Sequence, residues 1–314
     1  MANQLKSWDA KPRAFHISEW QPVTEGVIVM KKRFLGLLLT LTIIFSIFTP
    51  EMFAMSNSTY AIDFTSSNMG VVKVLTYSAT TAKLKVAVEN GTQKYIYDMP
   101  ARGSYVNYPL QLGNGQYTVK IYENTTGNKY KTVYTGTENV YISTPNSVYL
   151  ASTQQVNWNN ENQAIILAKK LLNDELYLKI VRTKNNQAKL TDNEKIKVIY
   201  NYVVKNMSYD YQKISTLTSD YVPSIDAVLQ AKKGICFDYS ALLASMLRSQ
   251  GIPAKLVKGY STTTDVYHAW NEIYLSAEGR WIIVDTTYDA YMYRAKSPYS
   301  MEKSVAQYTK QLEF

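Results

Sequence analysis

Across residues 63–150, apolar and polar side chains alternate in short runs bounded by turn residues. Leu84-Lys85-Val86-Ala87-Val88 has the period of two of a half-buried strand, Asn90-Gly91 marks a hairpin, and Tyr95-Ile96-Tyr97 forms its return. Gly113-Asn114-Gly115 then leads into residues 117–122, and Thr126-Gly127-Asn128 turns into residues 130–134. Strands at this spacing predict an all-β sandwich of immunoglobulin-like size over residues 57–150. The tyrosines concentrated here, Tyr95, Tyr97, Tyr105, Tyr108, Tyr117, Tyr122, Tyr130 and Tyr134, suit half-buried strands with a wet edge, with a carbohydrate- or peptide-binding face as the alternative.

Turn and asparagine-rich stretches at 144–147 and 157–162 read as a linker, so that residues 151–190 carry linker and a first helix (Ile165, Ile166, Leu167, Leu171, Leu172). Thr191-Asp192-Asn193-Glu194 is a capping box ahead of Ile196, Ile199, Tyr200, Val203 and Met207 at helical spacing. A short helix near 224–230 stops at Lys232-Lys233-Gly234. Tyr239, Leu242, Leu243, Met246 and Leu247 form another stripe, closed by Gly251 and Pro253. The period then changes to strands at 255–260, 266–275 and 281–285, the last two joined through Glu278-Gly279. Helices followed by an antiparallel sheet place residues 191–314 in the α+β class.

Composition changes the picture at two points. With 314 residues, 46% hydrophobic and 19% charged, the chain can build two cores and is not a disordered polymer. The single cysteine, Cys236, rules out an intrachain disulfide. With only two histidines, His16 and His268, most zinc sites made of cysteine and histidine are excluded as well. No EF-hand spacing is present, and the pattern calls for neither a metal nor another cofactor.

Lys31, Lys32 and Arg33 precede an uncharged run of 16 residues, 34–49, followed by Pro50 and small residues near Ala54 and Ser56. This is a signal-peptide layout over 30–56, too short for the ~20 residues of a spanning helix, with cleavage expected after Ala54 or Ser56. Met30 directly before the basic segment reads as the true start, leaving residues 1–29 as a non-native extension. Removing residues 1–54 deletes six basic and four acidic residues and takes the net charge from +9 to +7. The lysines are scattered and form no basic arm, which excludes nucleic acid and makes anionic cell-envelope polymers the natural neighbours of a secreted protein. No stable membrane insertion is expected after cleavage.

Processing removes His16 and leaves one cysteine and one histidine. Cys236 follows Gly234-Ile235 at the start of a helix, where free N–H groups and the positive dipole end favour a thiolate. His268, in Val266-Tyr267-His268-Ala269-Trp270, is the base such a nucleophile requires, and Asp285, ending Trp281-Ile282-Ile283-Val284-Asp285, can orient the ring. If Leu275 pairs with Arg280, Asp285 falls opposite Trp270 on the face of His268. Pairing Leu275 with Trp281 would separate them unless a bulge intervened.

These blocks resemble the transglutaminase-like superfamily, whose core is related to papain-like cysteine enzymes. The resemblance rests on Gly234-Ile235-Cys236-Phe237-Asp238-Tyr239-Ser240-Ala241 with residues 247–254 behind it, Tyr267-His268-Ala269-Trp270-Asn271-Glu272, and residues 279–287, within about 191–290. It implies a papain-like core, Cys236 as nucleophile, His268 as base and Asp285 as orienter, with Thr286 where proline often stands. The implied chemistry is acyl transfer on a peptide or protein substrate through a thioester, with hydrolysis preferred over crosslinking. A non-catalytic binding protein and an envelope adhesin led by the β module are the competing readings.

Overall fold

The computed structural model describes residues 54–57, 59–77, 80–100 and 103–314, and these described residues fall in one compact unit. The segment read as extension and signal peptide lies outside the described residues up to residue 53. Ala54–Ser56, where cleavage is expected, is an edge strand (β1).

The N-terminal part contains two four-stranded antiparallel sheets. One runs β1-β2-β3-β6, with β2 Tyr60–Asp63, β3 Val71–Thr76 and β6 Val106–Pro109. The other runs β5-β4-β7-β8, with β4 Leu84–Asn90, β5 Gln93–Met99, β7 Gly115–Thr126 and β8 Lys129–Val140. The period of two decides the inner faces: Leu84, Val86, Val88, Tyr117, Val119 and Ile121 meet Ile62, Val72, Val74 and Tyr108 in one core. Gly136 permits the close approach, because a Cβ there would stand 3.3 Å from Ile62 and Phe64.

Asn90 pairs with Gln93, so Gly91 and Thr92 make the hairpin loop, and only Gly91 of the two needs a positive φ. The tyrosines divide: Tyr97, Tyr108 and Tyr117 are buried, with the Tyr117 hydroxyl donating to the Leu110 and Gly113 carbonyls, while Tyr105 is exposed.

The segment between sandwich and helices is packed. Val148, Tyr149 and Val156 are buried, and the Gln154 N–H donates to the Asn107 carbonyl. There follow α1 Gln163–Thr183, α2 Asp192–Asn206, the two-residue β9 Ser208–Tyr209, the single turn α3 Tyr211–Ile214, α4 Ile225–Ala231, and β10 Lys233–Gly234, parallel to β9. The Thr191–Glu194 capping box forms as the sequence predicts. Lys232 closes α4 in the left-handed conformation.

Helix α5, Cys236–Arg248, occupies the centre, and every residue from Phe237 to Arg248 is buried. Its Leu242, Leu243, Met246 and Leu247 pack into the core, and its small residues Ser240, Ala241, Ala244 and Ser245 let neighbours approach on the remaining sides. Behind it lies an antiparallel sheet ordered β14-β13-β12-β11-β15: β11 Ala254–Ser261, β12 Thr264–Leu275, β13 Arg280–Val284, β14 Glu302–Lys303 and β15 Tyr308–Glu313. Helix α6, Thr286–Arg294, connects β13 to β14.

Buried Arg248 ties the parts together by donating to the carbonyls of Ala151, Ala254 and Phe314 at 2.7, 2.8 and 2.7 Å. No described helix is long and apolar enough to cross a membrane.

Candidate active site

Local sequence explains where the nucleophile candidate stands. Gly234 pairs with Tyr209, and Ile235 adopts an extended conformation before Cys236 opens α5. The Asp238 carboxylate folds back to accept the Ile235 N–H at 2.8 Å. A Cβ at residue 234 would lie 2.6 Å from Cβ of Asp238, so glycine is required for this fold-back. Isoleucine has no acceptor in its side chain, so this start is half a capping box. As the first residue of the helix, Cys236 has no intrahelical carbonyl for its N–H, which remains the backbone donor available to a developing oxyanion.

The β12–β13 hairpin adopts the register that unites the other two residues. Leu275 pairs with Arg280 and Asn271 with Val284, so Asp285 follows directly at the position opposite Trp270. There it caps α6. Its Oδ1 accepts the Tyr288 N–H at 3.0 Å, and its Oδ2 accepts His268 Nε2 at 2.8 Å. A carboxylate only accepts, so Nε2 carries the proton and Nδ1 is the nitrogen left for a hydrogen bond with the Cys236 side chain. Cys236, His268 and Asp285 are thus brought together, with Asp285 fully buried, His268 7% exposed and Cys236 part-exposed.

Burial alone would push the imidazole down. Hydrogen bonds to Asp285 and Cys236, together with the charges of both, outweigh it and take His268 up to about 10. The ring is therefore cationic at neutral pH.

Several surrounding features were not legible in the sequence. The Tyr308 hydroxyl donates to Asp285 Oδ2 at 2.9 Å, and burial followed by the Asp285 charge holds that phenol well above its usual range, so it stays a donor. Trp270 wedges between the His268 ring (6.3 Å between centroids) and the Tyr308 ring (5.0 Å). Tyr308 sits on β15, which pairs with β11 some fifty residues earlier in the chain; no local pattern signals that. On the other side, Lys213 Nζ donates to Asp238 Oδ2 at 2.7 Å, and the Tyr221 hydroxyl donates to Oδ1. Asn271 locks α5 to the sheet by donating to the carbonyls of Ser240 (2.9 Å) and Lys255 (3.0 Å).

Among the described residues no cluster of three or more His, Cys, Asp or Glu is placed to hold a metal. A groove of roughly 1080 Å³ lies elsewhere, between the sandwich and residues 219–222, and none of the three site residues lines it.

A cysteine thus opens the central helix of an α+β core, with a histidine and an aspartate on the adjoining antiparallel sheet. Residues 179–286 match the family model of the transglutaminase-like superfamily, so this part of the chain is similar to that superfamily. The uncharacterized protein YebA of Bacillus subtilis is 27% identical over 111 residues, covering 30% of this chain and 15% of that protein, so the chain spans only a small part of this relative. Among solved structures, a proposed cysteine protease from Cytophaga hutchinsonii aligns over 75% of this chain and 68% of its own, at 17% identity and a TM-score of 0.35. Red sea bream transglutaminase aligns over 69% of this chain and 48% of its own, at 12% identity and a TM-score of 0.31.

Proposed function

We propose that the protein is a secreted cysteine peptidase or amidase working by acyl transfer, with Cys236 as nucleophile, His268 as acid–base and Asp285 as orienter. The observation that carries this reading is the His268–Asp285 pair at 2.8 Å, set beside Cys236 at the first residue of α5, whose side chain and charge act on the His268 ring. The Cys236 thiolate adds to a peptide or carboxamide carbonyl, with the Cys236 N–H facing the oxyanion. The C–N bond breaks as His268 gives its proton to the departing amine, leaving a thioester on Sγ. Water then adds to the thioester while His268 takes a proton from it. The C–S bond breaks, and the acid and thiolate are restored. Export rests on the signal-peptide pattern of residues 30–56, and the positive net charge suits an anionic envelope.

The test is mass spectrometric trapping of a thioester on a glutamine-containing peptide, with water competing against an added primary amine. An acid product lost in Cys236→Ala supports the reading. Exclusive amine adduct replaces hydrolysis with crosslinking, and equal turnover by wild type and Cys236→Ala removes the enzyme altogether.

A further inference from the structure

The half-buried lysine Lys258 stands apart from the other poorly exposed lysines of the fold. Lys303 rests on Asp289, Lys213 on Asp238, and Lys255 on Glu272 and Glu313. Lys258 has no carboxylate within 4 Å among the described residues. Its Nζ stands 3.6 Å from the centroid of the Phe237 ring, the residue after Cys236, and 5.3 Å from that of Phe314, and its polar contact is the neutral Gln155 Oε1 at 3.4 Å.

A desolvated ammonium without a counter-charge is costly. Lys258 pairs with Ala269 in the register, so its side chain leaves the sheet on the α5 face, opposite to that of His268, and reaches the start of α5 through Phe237, the residue after Cys236. Burial pushes it down to about 8, and the negative charge that acts against this is that of Cys236.

We propose that Lys258 is an electrostatic positioning residue for Cys236, its ammonium serving as a counter-charge that holds the thiolate ready. The inference rests on the cysteine-nucleophile reading of the site. The other titratable groups around the thiol are His268 on β12 with Asp285 behind it, Tyr209 on β9, and Asp238 on α5 with Lys213 and Tyr221 on its carboxylate. A lysine with a purely structural role would behave differently: replacing an unpaired buried charge with an apolar isostere leaves stability unchanged or raises it, with no effect on the thiol.

The experiment follows iodoacetamide alkylation of Cys236 against pH in the full chain for wild type, Lys258→Met and Lys258→Arg, with Lys258→Gln as a second neutral variant and thermal melting in parallel. The expected result is a midpoint about one pH unit higher in the neutral variants, with alkylation on the acid side slowed about tenfold, melting unchanged or raised, and Lys258→Arg close to wild type. A fast wild-type profile on which both neutral variants superimpose overturns the role of Lys258 and leaves the nucleophile standing. If wild type and variants all react like free cysteine, both the inference and the nucleophile fall.

Discussion

Asp285→Asn isolates what the carboxylate does for His268, because the new side chain has one allowed orientation. The Tyr288 N–H must still find an acceptor at the start of α6, so the asparagine carbonyl stays where Oδ1 is now and its NH₂ group faces His268. Nε2 then has to accept, the neutral ring carries its proton on Nδ1, and that N–H points at the thiol it should deprotonate. The distance from an ordinary histidine near 6.5 to about 10 corresponds to roughly 5 kcal/mol in favour of the protonated ring, shared between Asp285 and Cys236. Both side chains of the pair are almost fully buried, so solvent screening removes little of it.

In the proposed mechanism the protonated ring donates to the leaving amine, so activity is expected to fall as pH rises through about 10 in the wild type. In Asp285→Asn burial prevails, the alkaline limb moves down by several pH units, and kcat at pH 7 drops by about 10³–10⁴. The stability contribution has the same sign. It is fully present below about pH 6.5, is lost as pH rises through about 10, and the variant lacks this dependence. Peptide hydrolysis and denaturant unfolding across pH 5–11 read both effects. A folded Asp285→Asn variant with an unmoved alkaline limb and kcat within threefold of wild type would refute the argument.

Tyr308→Phe removes one donor from Asp285 Oδ2 and should cost about 1.5–3 kcal/mol in urea unfolding while lowering kcat less than tenfold, since His268 keeps its acceptor. Arg248→Met strips the donor from three carbonyls and should lose at least ~3 kcal/mol by the same measurement; stability within 1 kcal/mol of wild type would contradict that role. Gly259→Ala places a Cβ 2.1 Å from the Thr309 carbonyl oxygen and 2.9 Å from Trp270. The variant should push β15 off β11, exposing the Tyr308 and Trp270 rings to quenching, and unchanged tryptophan fluorescence would count against it.

Elements whose signals are local were legible in the sequence. The Thr191–Glu194 box announces α2, the apolar stripe of α5 declares a helix beginning at Cys236, and of the two hairpin registers the sequence left open the chain adopts Leu275 with Arg280. Helix α6 was not: Thr286-Thr287-Tyr288-Asp289-Ala290-Tyr291 has no apolar stripe, and Asp285 was read as the end of a strand when it is also a helix cap. Strand β15 escaped because its partner β11 is distant in sequence and its own residues are mostly exposed. Lys258 was equally hidden. A lysine inside a strand pattern reads as solvated, and only the folded chain shows two aromatic rings over its ammonium.

The charges gathered at the start of α5 balance in one protonation state. A carboxylate in the first turn suits the helix dipole but opposes a thiolate two residues away. Asp238 is relieved of that conflict by Lys213, while the Ile235 N–H and the Tyr221 hydroxyl occupy its remaining acceptor positions. The Asp285 charge is matched in the same way by a protonated His268. With those two pairs cancelled, the Lys258 ammonium is left over in a half-buried setting, with a neutral amide as its polar contact and two phenyl rings beside it. A neutral thiol would leave that positive charge uncompensated, whereas a thiolate at Cys236 cancels it.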